Sequence, residues 1–507
     1  MVPPLLALLV WPLISIVFFW KLRLPLAILL TILGGFLFMP ENTELDLPGI
    51  PALDKRSIPA LTALILALVF AGPAASDVRP AGLIPRRPSI VLLLVALVAG
   101  SVLTALTNSD SLTYGFRTLP GLELYDAASM ATAAALMILP LLLARRFLAD
   151  PEAQRLLLQV LCVAALGYSL LVLFEVRMSP QLNIWVYGFF PHSWIQHVRG
   201  GAFRPVVFLG HGLILGIFLC LAILATVALV RIDARRRRLF LLAALWLFGT
   251  LMLSRNFGAV FITVALVPVI LMLGVRGQLL AAAIISGVFL AYPVARTSQI
   301  LPIDQMVQLV EGINPERADS FEYRRNHEEI LLSKASERPF FGWGGWGRNR
   351  IFDEFGRDIS VTDGAWVITL GVDGWIGYIA RYGLLTLPIF LLLLHRRRYG
   401  IGMESAALAV LLAANLIDLV PNSSNTPLTW LLAGALWGRL EWRPAPKSQQ
   451  QEIAERSGTR ASSYRRAKAK KSTNELPVPA LLPSQSPYTR QSRRIYRKSS
   501  VLKPSPK

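Results

Sequence analysis

Apolar runs of about 18 to 22 residues recur along the whole of this 507-residue chain. That length lets a helix rising about 1.5 Å per residue cross a hydrocarbon core of roughly 30 Å. With 54% hydrophobic residues, 16% charged residues and a mean hydropathy of +0.53, the chain has too little charge to cover a soluble protein of its size. Nothing alternates over the lengths a membrane β-barrel needs. The expected fold is therefore all-α, a polytopic transmembrane bundle of about 11–13 spans within residues 1–440.

Lysine and arginine collect in short loops on the cytoplasmic side of a membrane. The clusters at Lys21/Arg23, Arg79/Arg86/Arg87, Arg145/Arg146/Arg155, Arg231 with Arg235 to Arg238, Arg276, and Arg396 to Arg398 all fall on one side of the span list, with the C-terminus. The alternate loops 41–57, 108–124, 176–205, 254–255, 295–381 and 421–424 then face outward. The net charge of +20 is concentrated from Arg439 onward, where 17 Lys+Arg stand against 4 Asp+Glu. Residues 441–507 are rich in Pro, Ser, Gln and Lys and are expected to form a disordered basic cytoplasmic tail that lies against lipid. A partner-binding or nucleic-acid arm is the competing reading of that tail; no nucleic acid is expected as a partner of the protein. Cys162 and Cys220 lie inside apolar runs and imply neither a disulfide framework nor a metal site.

Function should be legible in the one long polar segment, roughly 295–394, which holds SERPFFGWGGWGRNR (336–350) and VTDGAWVITLGVDGWIGYIARYGLLTLP (361–388). The chain has no G-x-x-x-x-G-K-[ST], no H-E-x-x-H, no G-x-S-x-G and no Cys/His cluster. What it does have is arginine at outer span ends. Arg204 opens a span as RPVVFLGHG, with His211 two turns further on, and Arg255 sits in the tight turn LSRNFG. Either arginine alone could be an interfacial residue snorkelling to the headgroups. Together on one face they suit a pyrophosphate, whose oxygens a guanidinium fork binds bidentately. His211 reads as a hydrogen-bonded core residue or an acid–base group, whereas His192 and His197 read as surface loop residues. Segment 317–339 reads as a charged helix, with Arg324, Arg325 and His327 as candidates for substrate contact. Asp363 precedes the next apolar stretch, where it would cap a helix, take part in proton transfer, or both.

These residues resemble the O-antigen ligase/polymerase family, membrane glycosyltransferases that handle polyprenyl-diphosphate-linked glycans; the resemblance covers roughly residues 195–395. Members show an Arg leading into a span with a later His-Pro-Asn, and RPVVFLGHG is similar, with Gly212 where Pro is usual. Their Ser-Arg-Gly turn is matched by Ser254-Arg255-Asn256, and their Pro-x-x-Gly-x-Gly by Pro339 to Gly344. The family's ligases end with His, a small polar residue, nine residues and Gly-x-x-Gly. Here Asp363-Gly364 is followed by nine residues and Gly374-Trp375-Ile376-Gly377, so spacing is kept while histidine becomes aspartate. That departure points to an exopolysaccharide-polymerase-like branch.

The resemblance implies a bacterial inner-membrane enzyme, a glycan polymerase or ligase that moves an undecaprenyl-diphosphate-linked oligosaccharide to an acceptor hydroxyl at the periplasmic face. It implies Asp363 and His211 as catalytic residues and Arg204, Arg255 and Arg325 as diphosphate ligands, with no metal and no cofactor. Its partners would be the lipid-linked glycan, membrane lipids and other polysaccharide-assembly proteins. The competing class is a transporter or flippase of an envelope lipid or polysaccharide, marked by charges at mid-span and discontinuous helices.

Overall fold

The computed structural model describes residues 1–46, 51–71, 82–199, 201–298 and 315–442, all within a single unit, Met1–Arg443. The basic tail expected beyond residue 440 lies outside the described residues, apart from Glu441 and Trp442. So does the 299–314 part of the long polar segment.

The chain is mostly helical. In order it runs α1 (Pro4–Lys21), α2 (Leu24–Phe38), α3 (Ser57–Phe70), α4 (Pro88–Leu106), a hairpin of β1 (Leu112–Tyr114) and β2 (Arg117–Leu119), α5 (Leu124–Phe147), α6 (Pro151–Met178) and α7 (Leu182–Tyr187). A two-residue ladder, β3 (Val198–Arg199) and β4 (Ala202–Phe203), precedes α8 (Gly212–Ile232), α9 (Arg237–Leu253), α10 (Phe257–Met272) and α11 (Val275–Thr297). The last helices are α12 (Pro315–Ser336), α13 (Ala365–Tyr399), α14 (Met403–Asp418) and α15 (Pro427–Glu441). Among the described residues, seven helices (α1, α4, α5, α6, α8, α11 and α13) are long and apolar enough to cross a membrane, and α2, α3 and α10 are apolar but shorter.

Local chemistry sets many of the boundaries. Asp150 caps α6 by accepting from the Ala153 N–H at 2.9 Å, with Pro151 in the first turn. Thr426 and Thr429 form a reciprocal box at the start of α15. Inside the spans, buried hydroxyls bond back to the carbonyl four residues earlier, as Thr226 does to Ala222 and Thr263 to Ala259.

Helix α8 is apolar all round and lies at the centre, with 89% of its span buried. It packs against α6, α9, α10 and α14. Helix α5 packs extensively on α15. A Cβ on Gly434 would lie 2.2 Å from the Leu141 carbonyl oxygen, and one on Gly438 would lie 2.3 Å from that of Arg145. This Gly-x-x-x-Gly stripe lets the two backbones touch. At the periphery apolar side chains point outward, with Leu13, Leu242, Phe261 and Val288 each more than 60% exposed, as lipid-facing residues would be.

The loops gather at two ends. At one end, Asn42 bonds the Pro191 carbonyl, Lys55 bonds that of Phe208, Arg338 pairs with Asp110, and the Ala365 N–H reaches the Leu419 and Asn422 carbonyls. At the other, Arg23 pairs with Glu152, Arg155 with Asp233 and Arg145 with Glu441.

The long polar segment departs from the expected loop. Helix α13 starts at Ala365 rather than near residue 382, because its first turns carry Gly, Asp and Thr and fall below the hydropathy of a span.

Candidate functional site

The segment ahead of α8 is held open rather than helical. Arg204 does not open the helix and His211 does not lie two turns inside it, because α8 begins at Gly212 and His211 is its N-cap. The His211 Nδ1 accepts the Leu213 N–H at 3.0 Å. A neutral ring that accepts at Nδ1 carries its proton on Nε2, so His211 offers a donor there rather than a base.

Val207 sits at φ 55°, a conformation a β-branched residue adopts only under constraint. The constraint is visible. The buried Glu175 carboxylate accepts the N–H groups of Val206, Val207 and Leu182 at 2.7 to 3.0 Å. The Phe208 N–H donates to Tyr168 at 3.2 Å, and Lys55 Nζ donates to the Phe208 carbonyl at 2.7 Å. Lys55 is fully enclosed beside Glu41, 3.0 Å away. Burial lowers its pKa, and the Glu41 carboxylate opposes that shift.

Arg204 is buried, its aliphatic stem lying across Gly212, where a Cβ would stand 2.3 Å from Arg204 Cδ. One turn later, a Cβ on Gly216 would lie 2.8 Å from Asn256. The Ser254-Arg255-Asn256 turn, with Arg255 at φ 57°, thus rests on the same face of α8 as Arg204. Arg204, His211 and Arg255 are brought together around the first two turns of that helix.

His192 and His197 join this group, and His197 is buried rather than on the surface as expected. Their ring centroids lie 4.8 and 5.0 Å from that of His211. Among the described residues no group of His, Cys, Asp or Glu is arranged to hold a metal ion. The cap taken by His211 Nδ1 is one physical reason.

A second group forms between α11, α12 and the start of α13. Asp363 does not cap α13: Gly364 stands at the N-cap and no side chain closes it. Instead the half-exposed Asp363 carboxylate lies 3.3 Å from Arg324 Nε. One turn along α12, Glu328 pairs with Arg296 of α11 at 3.7 Å. Burial pushes the Glu328 carboxyl up to about 7; Arg296 and Arg324 pull it down, while Asp363 pushes it further up. Arg325, the next residue after Arg324, is half-buried.

The two glycine motifs explain each other. Helix α13 breaks at Gly374, at φ 64° and ψ −167°, a region open only to glycine. The segment Pro339 to Gly344 fills the break. Trp343 and Gly344 N–H donate to the carbonyls of Gly371 and Val372 at 2.8 and 2.9 Å. Trp375 and Ile376 N–H donate to those of Pro339 and Phe340 at 2.7 and 3.2 Å. A Cβ on Gly374 would lie 2.4 Å from the Phe340 oxygen, and one on Gly342 would lie 2.5 Å from that of Val372. The Gly-rich segment is therefore a backbone clasp.

Below the break, Arg381 donates to Asp373 at 2.8 Å, an ion pair within the span rather than at its end. Arg381 also borders open space. A cavity of about 390 Å³ lies between α3, α5, α13 and α15, walled by Met137, Thr369, Trp430 and Arg381, with Arg56 and Asn425 also contributing. The Arg381 Nε and the Asn425 Oδ1 are buried without a hydrogen-bond partner.

Sequence reasoning missed Arg296 and Arg381. Arg296 lay just beyond an expected span, and Arg381 was taken as the edge of a loop. Helix α14 packs on both α8 and α11, the helices that carry residues of the two groups. No protein-family model, no curated protein and no solved structure matches this chain.

Proposed function

We propose that the protein is a membrane glycosyltransferase, a glycan polymerase or ligase of the O-antigen ligase/polymerase type in exopolysaccharide or O-antigen biosynthesis. It sits in the bacterial inner membrane with 11–13 spans, its long polar segment facing the periplasm and its C-terminus in the cytoplasm. The observation that carries this reading is the group of Glu328, Arg296, Arg324 and Asp363, in which burial pushes the Glu328 carboxyl up to about 7. A general base works best when its pKa lies near the working pH.

The acceptor hydroxyl attacks the anomeric carbon of the undecaprenyl-diphosphate-linked glycan with inversion. Its proton passes to Glu328, while Asp363, fixed by Arg324, orients the hydroxyl. The bond between the anomeric carbon and the diphosphate oxygen breaks, and the charge that develops on that oxygen is met by Arg204, Arg255 and Arg325, with His211 Nε2–H as a further donor. Positioning and charge neutralisation supply the rate, and the residues need no metal for this chemistry.

A second reading, transport of an envelope lipid, draws support from the helix break at Gly374 and the Asp373–Arg381 pair inside the span. One experiment separates the two. Purified protein is placed in liposomes carrying the lipid-linked oligosaccharide, and both glycan length and leaflet distribution are followed. New glycosidic bonds that are lost in Glu328→Gln support the transferase. Redistribution between leaflets without bond formation supports transport and overturns the proposal.

A further inference from the structure

At the opposite end of the bundle a cleft of about 430 Å³ lies between the start of α11 and the last turn of α13, lined by Arg276, Leu394, His395, Arg396, Arg397 and Arg398. No carboxylate is among these residues. Other arginines at this end are matched within the protein: Arg155 by Asp233, Arg145 by Glu441, Arg231 by the Ile270 and Leu273 carbonyls, and Arg439 by those of Tyr399 and Gly400. In the cleft, among the described residues, Arg396 reaches only the Leu393 carbonyl, at 3.4 Å, and Arg398 lies over the Tyr399 ring.

The local backbone shows why these guanidiniums stay available. A helix C-terminus exposes carbonyls that attract cations. Here the chain closes its own end, since Gly400 turns left-handed at φ 55° and the N–H groups of Gly400 and Ile401 bond the carbonyls of Arg397 and Arg396. His395 has already left helical geometry, at φ −106° and ψ 18°. Within the lining Leu394 faces outward, 73% exposed, and Met272, four residues before Arg276 in the chain, is 79% exposed. The cleft therefore joins a concentrated positive charge to an apolar rim.

We propose that this cleft is a binding site for the phosphodiester headgroup of an anionic phospholipid. A guanidinium fork matches phosphate oxygens bidentately. Basic pockets between membrane helices bind such headgroups, and the rim residues lie where acyl chains begin. Phosphatidylglycerol fits this chemistry and a zwitterionic lipid does not, because its ammonium would enter a cleft that offers it no carboxylate.

The test uses the full chain in detergent, given phosphatidylglycerol, phosphatidylcholine or inorganic phosphate, with bound lipid read by native mass spectrometry. Wild type should retain phosphatidylglycerol and not phosphatidylcholine, and phosphate at low millimolar concentration should not displace it. Removing two near-surface cations in Arg276→Gln/Arg397→Gln should weaken retention about thirtyfold. Arg235→Gln/Arg236→Gln, which removes the same charge outside the cleft, should leave it within about twofold of wild type. Arg276→Lys/Arg397→Lys should fall between them and guards against a misfolded glutamine variant. Equal loss in the two glutamine variants, equal retention of the two lipids, or displacement by phosphate would each overturn the proposal.

Discussion

Glu328 and Asp363 sit in one charged group, and in the proposed function they have different work, which their surroundings separate. Burial raises the Glu328 carboxyl to about 7 from an ordinary value of 4.5. Glycosyl transfer should accordingly rise with pH through about 7, as the base form appears. In Glu328→Gln the rate should drop roughly 10²-fold and lose that inflection; initial rates across pH in isolated membranes check both. The same shift bears on stability with a definite sign. Its folded-state pKa lies above the unfolded one, so its contribution is fully present below about 4.5 and lost as pH rises through about 7. The glutamine variant should therefore gain thermal stability relative to wild type as pH rises through that window. Asp363 is half-exposed in its pair with Arg324, and such pairs contribute about 0–1 kcal/mol. Asp363→Asn should then leave the melting temperature almost unchanged while product formation falls, measured at equal membrane abundance. A fall in both would return Asp363 to a structural role. The type and place of these residues were legible in the sequence, but their partners were not. Arg324 and Asp363 are brought together by tertiary structure across 39 positions, and no local pattern records the burial of Glu328. The expected cap at Asp363 failed by one residue, because Gly364 took that place.

At the scale of elements, the glycines decide the geometry. Gly374→Ala would force a side chain into a backbone region reserved for glycine and against the Phe340 oxygen 2.4 Å away. Strain of this kind costs on the order of 1–3 kcal/mol before the clash is counted. Gly342→Ala meets the Val372 oxygen at 2.5 Å with φ 69° and should cost as much. Gly345→Ala, three residues later with nothing within 4 Å, should change the melting temperature little. If all three variants behave alike, the clasp between the two motifs is not what holds this segment. The order and spacing of these motifs were readable, but their mutual hydrogen bonding was not, because a glycine motif announces backbone freedom without naming what will come close. The Gly434/Gly438 stripe is a different case. Its small-residue spacing is legible within an apolar span, but hydropathy does not register it.

The bundle as a whole was legible because repeated apolar runs leave few alternatives. Span lengths were less so. Helices α2, α3 and α10 have 15, 14 and 16 residues, about 21 to 24 Å at 1.5 Å per residue, and apolar loop residues such as Met39 and Ala71 lengthen the windows seen in sequence. Sidedness follows from parity, and it can be tested. Between Gly356 and Arg443 the chain passes through α13, α14 and α15. An odd number of crossings puts these two points on opposite sides of the membrane. The charge bias leads us to expect the arginine-rich end, with Arg396 to Arg398 at its edge, on the inside. Reporter fusions after Gly356 and after Arg443 should therefore give periplasmic and cytoplasmic signals respectively. The break at Gly374 makes this a sharp test of α13. Were its two halves to fold back to one face instead of crossing, both reporters would fall in the same compartment, and a site built from Glu328, Asp363 and Arg324 could not face the periplasm while the C-terminus stays inside.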